Sequence, residues 1–245
     1  GYRDVLDLIH SNHAGMTLTS GLVRQFHREL FKFTDEEGGN WKPVGNQITQ
    51  FKADGSIEVR FDPPAPHLVD GMMHSLHQGL DQILQAGEVD RLLVTAAYVL
   101  DFLCIHPFRD GNGRIARLLT LLLLYQAGYQ VGRFVSLETV IENSKQSYYD
   151  TLYQSSQGWH DGTHSLVPWT EYLLGTITVA YREFESRTGI FTTARGAKTE
   201  NIFEAINRFI GDFTVAEISR VCPPTSIDMI RHILKQQKEF RNVMC

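Results

Sequence analysis

Apolar positions recur at helical spacing through most of the chain. Val5, Leu6, Leu8 and Ile9 form one short stripe, and Leu22, Val23, Phe26, Leu30 and Phe31 form a second, separated by Met16–Thr19. Glu36-Glu37-Gly38-Gly39-Asn40 reads as a helix stop and turn. The period then changes. Ala53-Asp54-Gly55-Ser56 is a turn signal, and Ile57, Val59 and Phe61 alternate with Glu58, Arg60 and Asp62, as in a half-buried strand. A small β-hairpin is therefore predicted within 41–62, closed by Pro63-Pro64-Ala65-Pro66. From His67 the helical period returns, with Val69, Met72, Met73, Leu76, Leu80, Ile83 and Leu84 on one face. Arg91–Ile105 is apolar nearly all round, and Ile115–Ala127 repeats that character, as expected of helices buried inside a bundle.

The last segment has a different texture. Residues 191–198 read as a linker. Beyond it, 200–210, 215–221 and 226–238 read as three helices, with a Pro223-Pro224 turn before the last. This arrangement resembles a winged-helix or helix-turn-helix module over 199–245. The predicted fold is thus mainly α: a helical domain over 1–190 carrying a hairpin, then a small terminal module.

Composition limits the function classes. A net charge of −5 argues against a protein that coats nucleic acid. Within 199–245 every basic residue is matched by an acidic one, so structural, dimerising or docking roles are favoured over DNA binding. The 3 cysteines, Cys104, Cys222 and Cys245, form no C-x-x-C pair, which fits a reducing, cytoplasmic setting. No apolar run reaches the length of a membrane span. Two histidine pairs at helical spacing, His74/His77 and His160/His164, lack completing ligands and read as solvated surface.

The chemistry is concentrated between the two buried helices, in His106-Pro107-Phe108-Arg109-Asp110-Gly111-Asn112-Gly113-Arg114-Ile115-Ala116-Arg117. Gly111 and Gly113 allow backbone N–H groups to approach an anion, and they stand where the next helix begins. Arg114 and Arg117 share a helix face and can clamp phosphate oxygens. A carboxylate at Asp110 can hold Mg²⁺ against a polyphosphate, and His106 can serve as a neutral base near pH 7. Each residue alone is ordinary; the conjunction is what points to phosphate handling.

His-x-Phe-x-Asp-Gly-Asn-Gly-Arg-x-x-Arg resembles the signature of the Fic family, and every specified position matches. The order of leading helices, hairpin, Pro-rich turn and paired buried helices is also similar, as is Tyr148-Tyr149-x-x-Leu152. The resemblance implies a Fic-type helical bundle that transfers AMP from ATP to a protein hydroxyl, on another protein or on itself, with release of pyrophosphate. It implies His106 as base and Asp110 as the Mg²⁺ ligand. Gly111, Asn112 and Gly113 would form the anion hole, with Arg114 and Arg117 on the outer phosphates. Tyr148 and Tyr149 would lie beside the adenine. The hairpin would be a flap that pairs with an extended target segment through Ile57, Val59 and Phe61.

Members of that family often carry an inhibitory Ser/Thr-x-x-x-Glu-Gly/Asn helix whose glutamate pairs with the second motif arginine, here Arg117. No such motif occurs in this sequence. The expectation is that it belongs to a helix preceding Gly1 in the natural protein. Such Fic-plus-terminal-module arrangements are common in bacterial proteins. The readings left open are removal of AMP, a different nucleotide donor, and a DNA-binding regulator acting through the terminal module; a homodimer is also left open.

Overall fold

The structure is a computed structural model, and it describes residues 1–51, 55–188, 202, 214–221 and 226–242. It divides into two compact units, Gly1–Arg182 and Glu183–Cys245. The division falls within a helix.

The first unit opens with α1 (Tyr2–Asn12) and α2 (Ser20–Phe31). Thr19 starts α2 by accepting a hydrogen bond at its hydroxyl from the Leu22 amide, at 3.2 Å. β1 (Ile48–Phe51) and β2 (Ile57–Phe61) follow, then α3 (Pro66–Ala86), α4 (Arg91–Ile105) and α5 (Asn112–Gln126). Pro66 occupies the first turn of α3, where its missing N–H is no loss, and Gly87 ends that helix in the left-handed region at φ 66°. α4 and α5 form the centre of the unit and pack on each other. Ile115, Leu118, Leu119 and Leu122 of α5 and Phe102 of α4 are fully buried. Their burial leaves the segment joining the two helices little freedom at either end.

Beyond α5 come α6 (Leu137–Asn143), α7 (Lys145–Ser156) and α8 (Val167–Thr188). Trp169 fixes α8 to the core: its indole N–H donates to the Ala96 carbonyl at 2.9 Å, and its amide donates to the Ser155 hydroxyl at 3.1 Å. Cys104 is buried among these helices, and burial pushes its thiol pKa up, so it is an inert core residue.

Two expectations are corrected here. The hairpin exists and is antiparallel, with Thr49 opposite Val59 and Gln50 opposite Glu58. Its apolar side, however, is split: Ile57 and Val59 turn outward while Phe61 packs against the core. Ile57 and Val59 are 61% and 48% exposed, while Arg60 lies inward with its guanidinium carbon 3.7 Å from the Tyr153 ring centroid on α7. An aromatic face can accept a cation, and Asp150 stands 3.6 Å away, so the inner side of this strand suits a charge better than an aliphatic group. The second correction is His77, which is 6% exposed rather than solvated. It falls on the same stripe of α3 as Met73 and Leu80, so it enters the core, where the Tyr98 hydroxyl lies 3.4 Å from its Nδ1.

In the second unit, α9 (Val215–Val221) and α10 (Ile227–Asn242) bring Ile218, Ile230 and Ile233 together with Ile202 in a small apolar cluster. Thr214 and Glu217 form a reciprocal cap at the start of α9. The expected linker 191–198, most of the expected helix over 200–210 and the Pro223-Pro224 turn lie outside the described residues. Among the described residues no helix is long and apolar enough to cross a membrane.

Candidate phosphate-binding site

The motif loop is the six-residue polar passage between α4 and α5, and its backbone conformation is unusual from the first residue. His106 caps α4 in the left-handed region, at φ 50° and ψ 58°. It is the one non-glycine residue with positive φ among the described residues. Such a conformation costs about 1–3 kcal/mol and is retained where surrounding contacts hold it. His106 Nδ1 lies 3.2 Å from the Leu103 carbonyl oxygen. A carbonyl can only accept, so Nδ1 carries the proton and Nε2 keeps its lone pair. Burial is the main cause that pushes the His106 pKa down to about 4, with nearby Lys42 acting in the same direction against the Leu103 carbonyl and Asp110. The imidazole is therefore a neutral acceptor at pH 7.

Phe108 anchors the middle of the loop. It is fully buried and stacks on His27 with ring centroids 3.7 Å apart. The Gly39 amide donates to His27 Nδ1 at 2.8 Å, which leaves Nε2–H to donate to the Asp110 carbonyl at 3.0 Å. Asn112 is turned inward: its side chain accepts from the Phe108 amide at 2.9 Å and donates to the Phe108 carbonyl at 2.8 Å. Any share Asn112 takes in an anion hole therefore falls to its backbone N–H. That amide, with those of Gly113 and Arg114, belongs to the first turn of α5 and has no carbonyl partner within the helix.

The two motif glycines differ. Gly111 has φ 81°, and a Cβ there would stand 2.9 Å from the Phe31 ring on α2. A Cβ on Gly113 would meet only the Arg117 guanidinium, at 3.5 Å. Gly111→Ala is accordingly expected to destabilise the unit by about 1–2 kcal/mol through strain and overlap. Gly113→Ala should be nearly neutral for stability. Chemical denaturation of the two variants distinguishes them.

The charged residues are already engaged. Arg114 pairs with Asp110 at 2.9 Å, both partly exposed, and lies over Phe31. Arg117 donates to one oxygen of Glu138 on α6, from Nε at 2.9 Å and from Nη2 at 2.8 Å. The second Glu138 oxygen is buried with no hydrogen-bond partner among the described residues. Tyr2 of α1 lies against this pair; burial, and then Glu138, raise its phenol pKa. A carboxylate thus occupies Arg117, although the inhibitory motif is absent from the sequence.

These residues line a cavity of about 670 Å³ together with β1, β2 and α7. His106, Asp110, Gly111, Asn112, Gly113, Arg114 and Arg117 all reach it. Phe61, Tyr148 and Tyr149 reach it too, whereas Ile57 and Val59 do not line it. Tyr148 is buried in an aromatic cluster with Trp169 and Tyr172, and Tyr149 beside it is 53% exposed. Arg60, Tyr153, Lys145 and Gln146 also line the cavity, and no sequence signal marks them as site residues. Among the described residues no group of three or more His, Cys, Asp or Glu side chains could enclose a metal.

A helical bundle here holds a histidine, an open helix N-terminus and two arginines around one cavity, an arrangement suited to an anion. Residues 17–124 match the model of the Fic/DOC family. A curated relative, a probable protein adenylyltransferase of Aquifex aeolicus, is 25% identical over 100 residues, covering 41% of this chain and 28% of that protein. The chain spans from 10% to 45% of the lengths of the curated relatives it matches. Among solved structures, a Fic domain-containing signalling protein of Bacteroides thetaiotaomicron shares the fold with a TM-score of 0.59 and 23% identity, over 73% of this chain and 68% of that one. A Fic family protein of Desulfovibrio desulfuricans does so with a TM-score of 0.58 and 20% identity, over 94% of this chain and 65% of that one.

Proposed function

We propose that this chain transfers AMP from ATP to a hydroxyl side chain of a target protein. The new bond joins the hydroxyl oxygen to the α-phosphorus. The bond from that phosphorus to the bridging oxygen breaks, pyrophosphate leaves, and the hydroxyl proton passes to His106 Nε2. The observation that carries this reading is the neutral His106, with Nε2 free, beside the open N-terminus of α5. Little covalent chemistry falls to the protein in such a transfer, so fixed donors and cations supply most of the rate.

The first-turn amides of α5 and Arg114 would hold the phosphates, with Arg117 further out. Tyr149 offers an exposed ring for the base. The outer face of β2, with Ile57 and Val59 exposed, suits an extended target segment. Mg²⁺ would be held by Asp110 and would neutralise phosphate charge. One protein carboxylate fits that ion, which commonly takes its remaining ligands from phosphates and water. The terminal module is assigned to docking or pairing of copies rather than to DNA.

Intact-mass analysis after incubation with ATP, CTP, GTP and UTP separately tests the reading. The expected result is AMP on the chain or on an added target from ATP alone. Absence of any nucleotidyl adduct under every donor would exclude it.

Glu138 supplies a further expectation. A γ-phosphate approaching Arg117 brings negative charge against the Glu138 carboxylate. Glu138→Ala should therefore lower KM for ATP several-fold, while Arg117→Ala raises it. Steady-state kinetics on both variants decides, and a raised KM in Glu138→Ala would mean that Glu138 holds Arg117 in its working position.

A further inference from the structure

We propose that Lys42 is a positioning residue for His106, gripping the carbonyl on each side of it and thereby fixing the left-handed backbone that aims the imidazole. The role in transfer rests on the function proposed above; the grip itself does not.

The geometry carries this. The Lys42 amide donates to the Pro107 carbonyl at 2.8 Å, and its ammonium donates to the Ile105 carbonyl at 3.3 Å. The residues before and after His106 are thus held by one side chain and its own backbone. His106 lies between them, with its amide bonded to the Phe102 carbonyl at 3.0 Å. A left-handed non-glycine residue relaxes unless its neighbours are fixed, and here both neighbouring peptide groups are.

The placement of Lys42 is otherwise hard to explain. It is 3% exposed, and burying an ammonium is unfavourable unless it meets partners. A methionine would fill the same space without that penalty. Burial lowers the Lys42 pKa, and Asp62 near the end of β2 opposes the shift. The acceptor the ammonium does have is the last carbonyl of α4, where the helix dipole favours a cation.

Lys42 is part of a longer strap along the motif loop. Trp41 packs against Phe108 with ring centroids 5.0 Å apart, and Asn46 donates to the Phe108 carbonyl at 3.1 Å. These contacts hold the phenylalanine end of the loop. Among the described residues Lys42 alone brackets the histidine.

The test is made on the whole chain, by long-range proton–nitrogen NMR of the histidine ring nitrogens. Wild type should show His106 as the Nδ1–H tautomer, titrating near pH 4. Lys42→Met should raise that titration by roughly one unit or more and mix the tautomers. Lys42→Gln keeps a donor without the charge and should fall between, and Lys42→Arg should restore the wild-type pattern. In transfer assays, kcat should fall by roughly 10–100-fold in Lys42→Met, with KM for ATP within about twofold.

Folded Lys42→Met and Lys42→Gln proteins with His106 signals superimposed on wild type would overturn the proposal. Should those variants fail to fold, wild type itself decides. His106 ring shifts must respond as pH passes the Lys42 titration, and silence there overturns the proposal equally. A wild-type chain that transfers no AMP defeats the proposed function but leaves the NMR test of Lys42 intact.

Discussion

His106→Ala is expected to cut the proposed AMP transfer, with kcat lower by roughly 10²–10⁴-fold, the range for loss of a positioned general base. The variant should melt close to wild type. Among the described residues the imidazole has one hydrogen bond to protein, to Leu103, and alanine keeps the left-handed backbone at a modest extra cost, since histidine is one of the non-glycine residues enriched there. Labelled ATP and Mg²⁺, with the protein itself as acceptor, give the measurement. Label that persists in His106→Ala would remove His106 from the base role. The pH dependence adds a second constraint. A base with its pKa held near 4 is deprotonated above that value, so the rate contributed by this group falls only as pH drops through about 4. Between pH 6 and 8 the profile should be flat with respect to His106. A fall beginning near pH 7 would point to an imidazole with the ordinary value, and hence to a looser site.

Acidification from pH 7 to pH 5 should destabilise the first unit by several kcal/mol. His77 is pushed down by burial to about 4, and His106 also lies near 4. The unfolded chain binds protons on these groups below about 6.5, and the folded chain resists doing so until about 4. Stability is therefore full above the unfolded value and is lost progressively as pH falls between the two. His77 alone contributes roughly 2 kcal/mol of that loss at pH 5. His106 adds in the same direction. Denaturant unfolding at pH 7, 6 and 5 measures the sum, and His77→Phe should remove a distinct part of the slope. An equal slope in wild type and His77→Phe would show that His77 is accessible to protons in the folded state.

The helical frame and the motif loop could be read from the sequence because both are local signals. α2, α3, α4 and α5 follow from apolar spacing, and the loop follows from residues within twelve positions of one another. What could not be read were the long-range partners. Glu138 lies 21 positions from Arg117, and nothing near it marks it as a phosphate-site neighbour. Lys42 looks like an ordinary surface lysine, and only the packing of its strap on Pro107 takes it inside. His77 sits on an apolar stripe that is visible in the sequence, so its burial follows once spacing is given more weight than polarity. The hairpin is the instructive case. Alternation correctly predicted a strand, but the choice of inner face depended on Tyr153 and Asp150, which lie far along the chain.

The outward turn of Ile57 and Val59 has a mechanical consequence. A two-stranded sheet is at best marginally stable by itself, so this one depends on what fastens it to the body of the unit. Arg60, laid on Tyr153, is one such fastening, and it is also part of the cavity wall. The same five-residue strand turns Ile57 and Val59 outward. In the proposed reaction, a nucleotide pressing on Arg60 from within and a polypeptide lying on β2 from without would push against one lever. Its fulcrum is the Tyr153 ring, with Asp150 beside it.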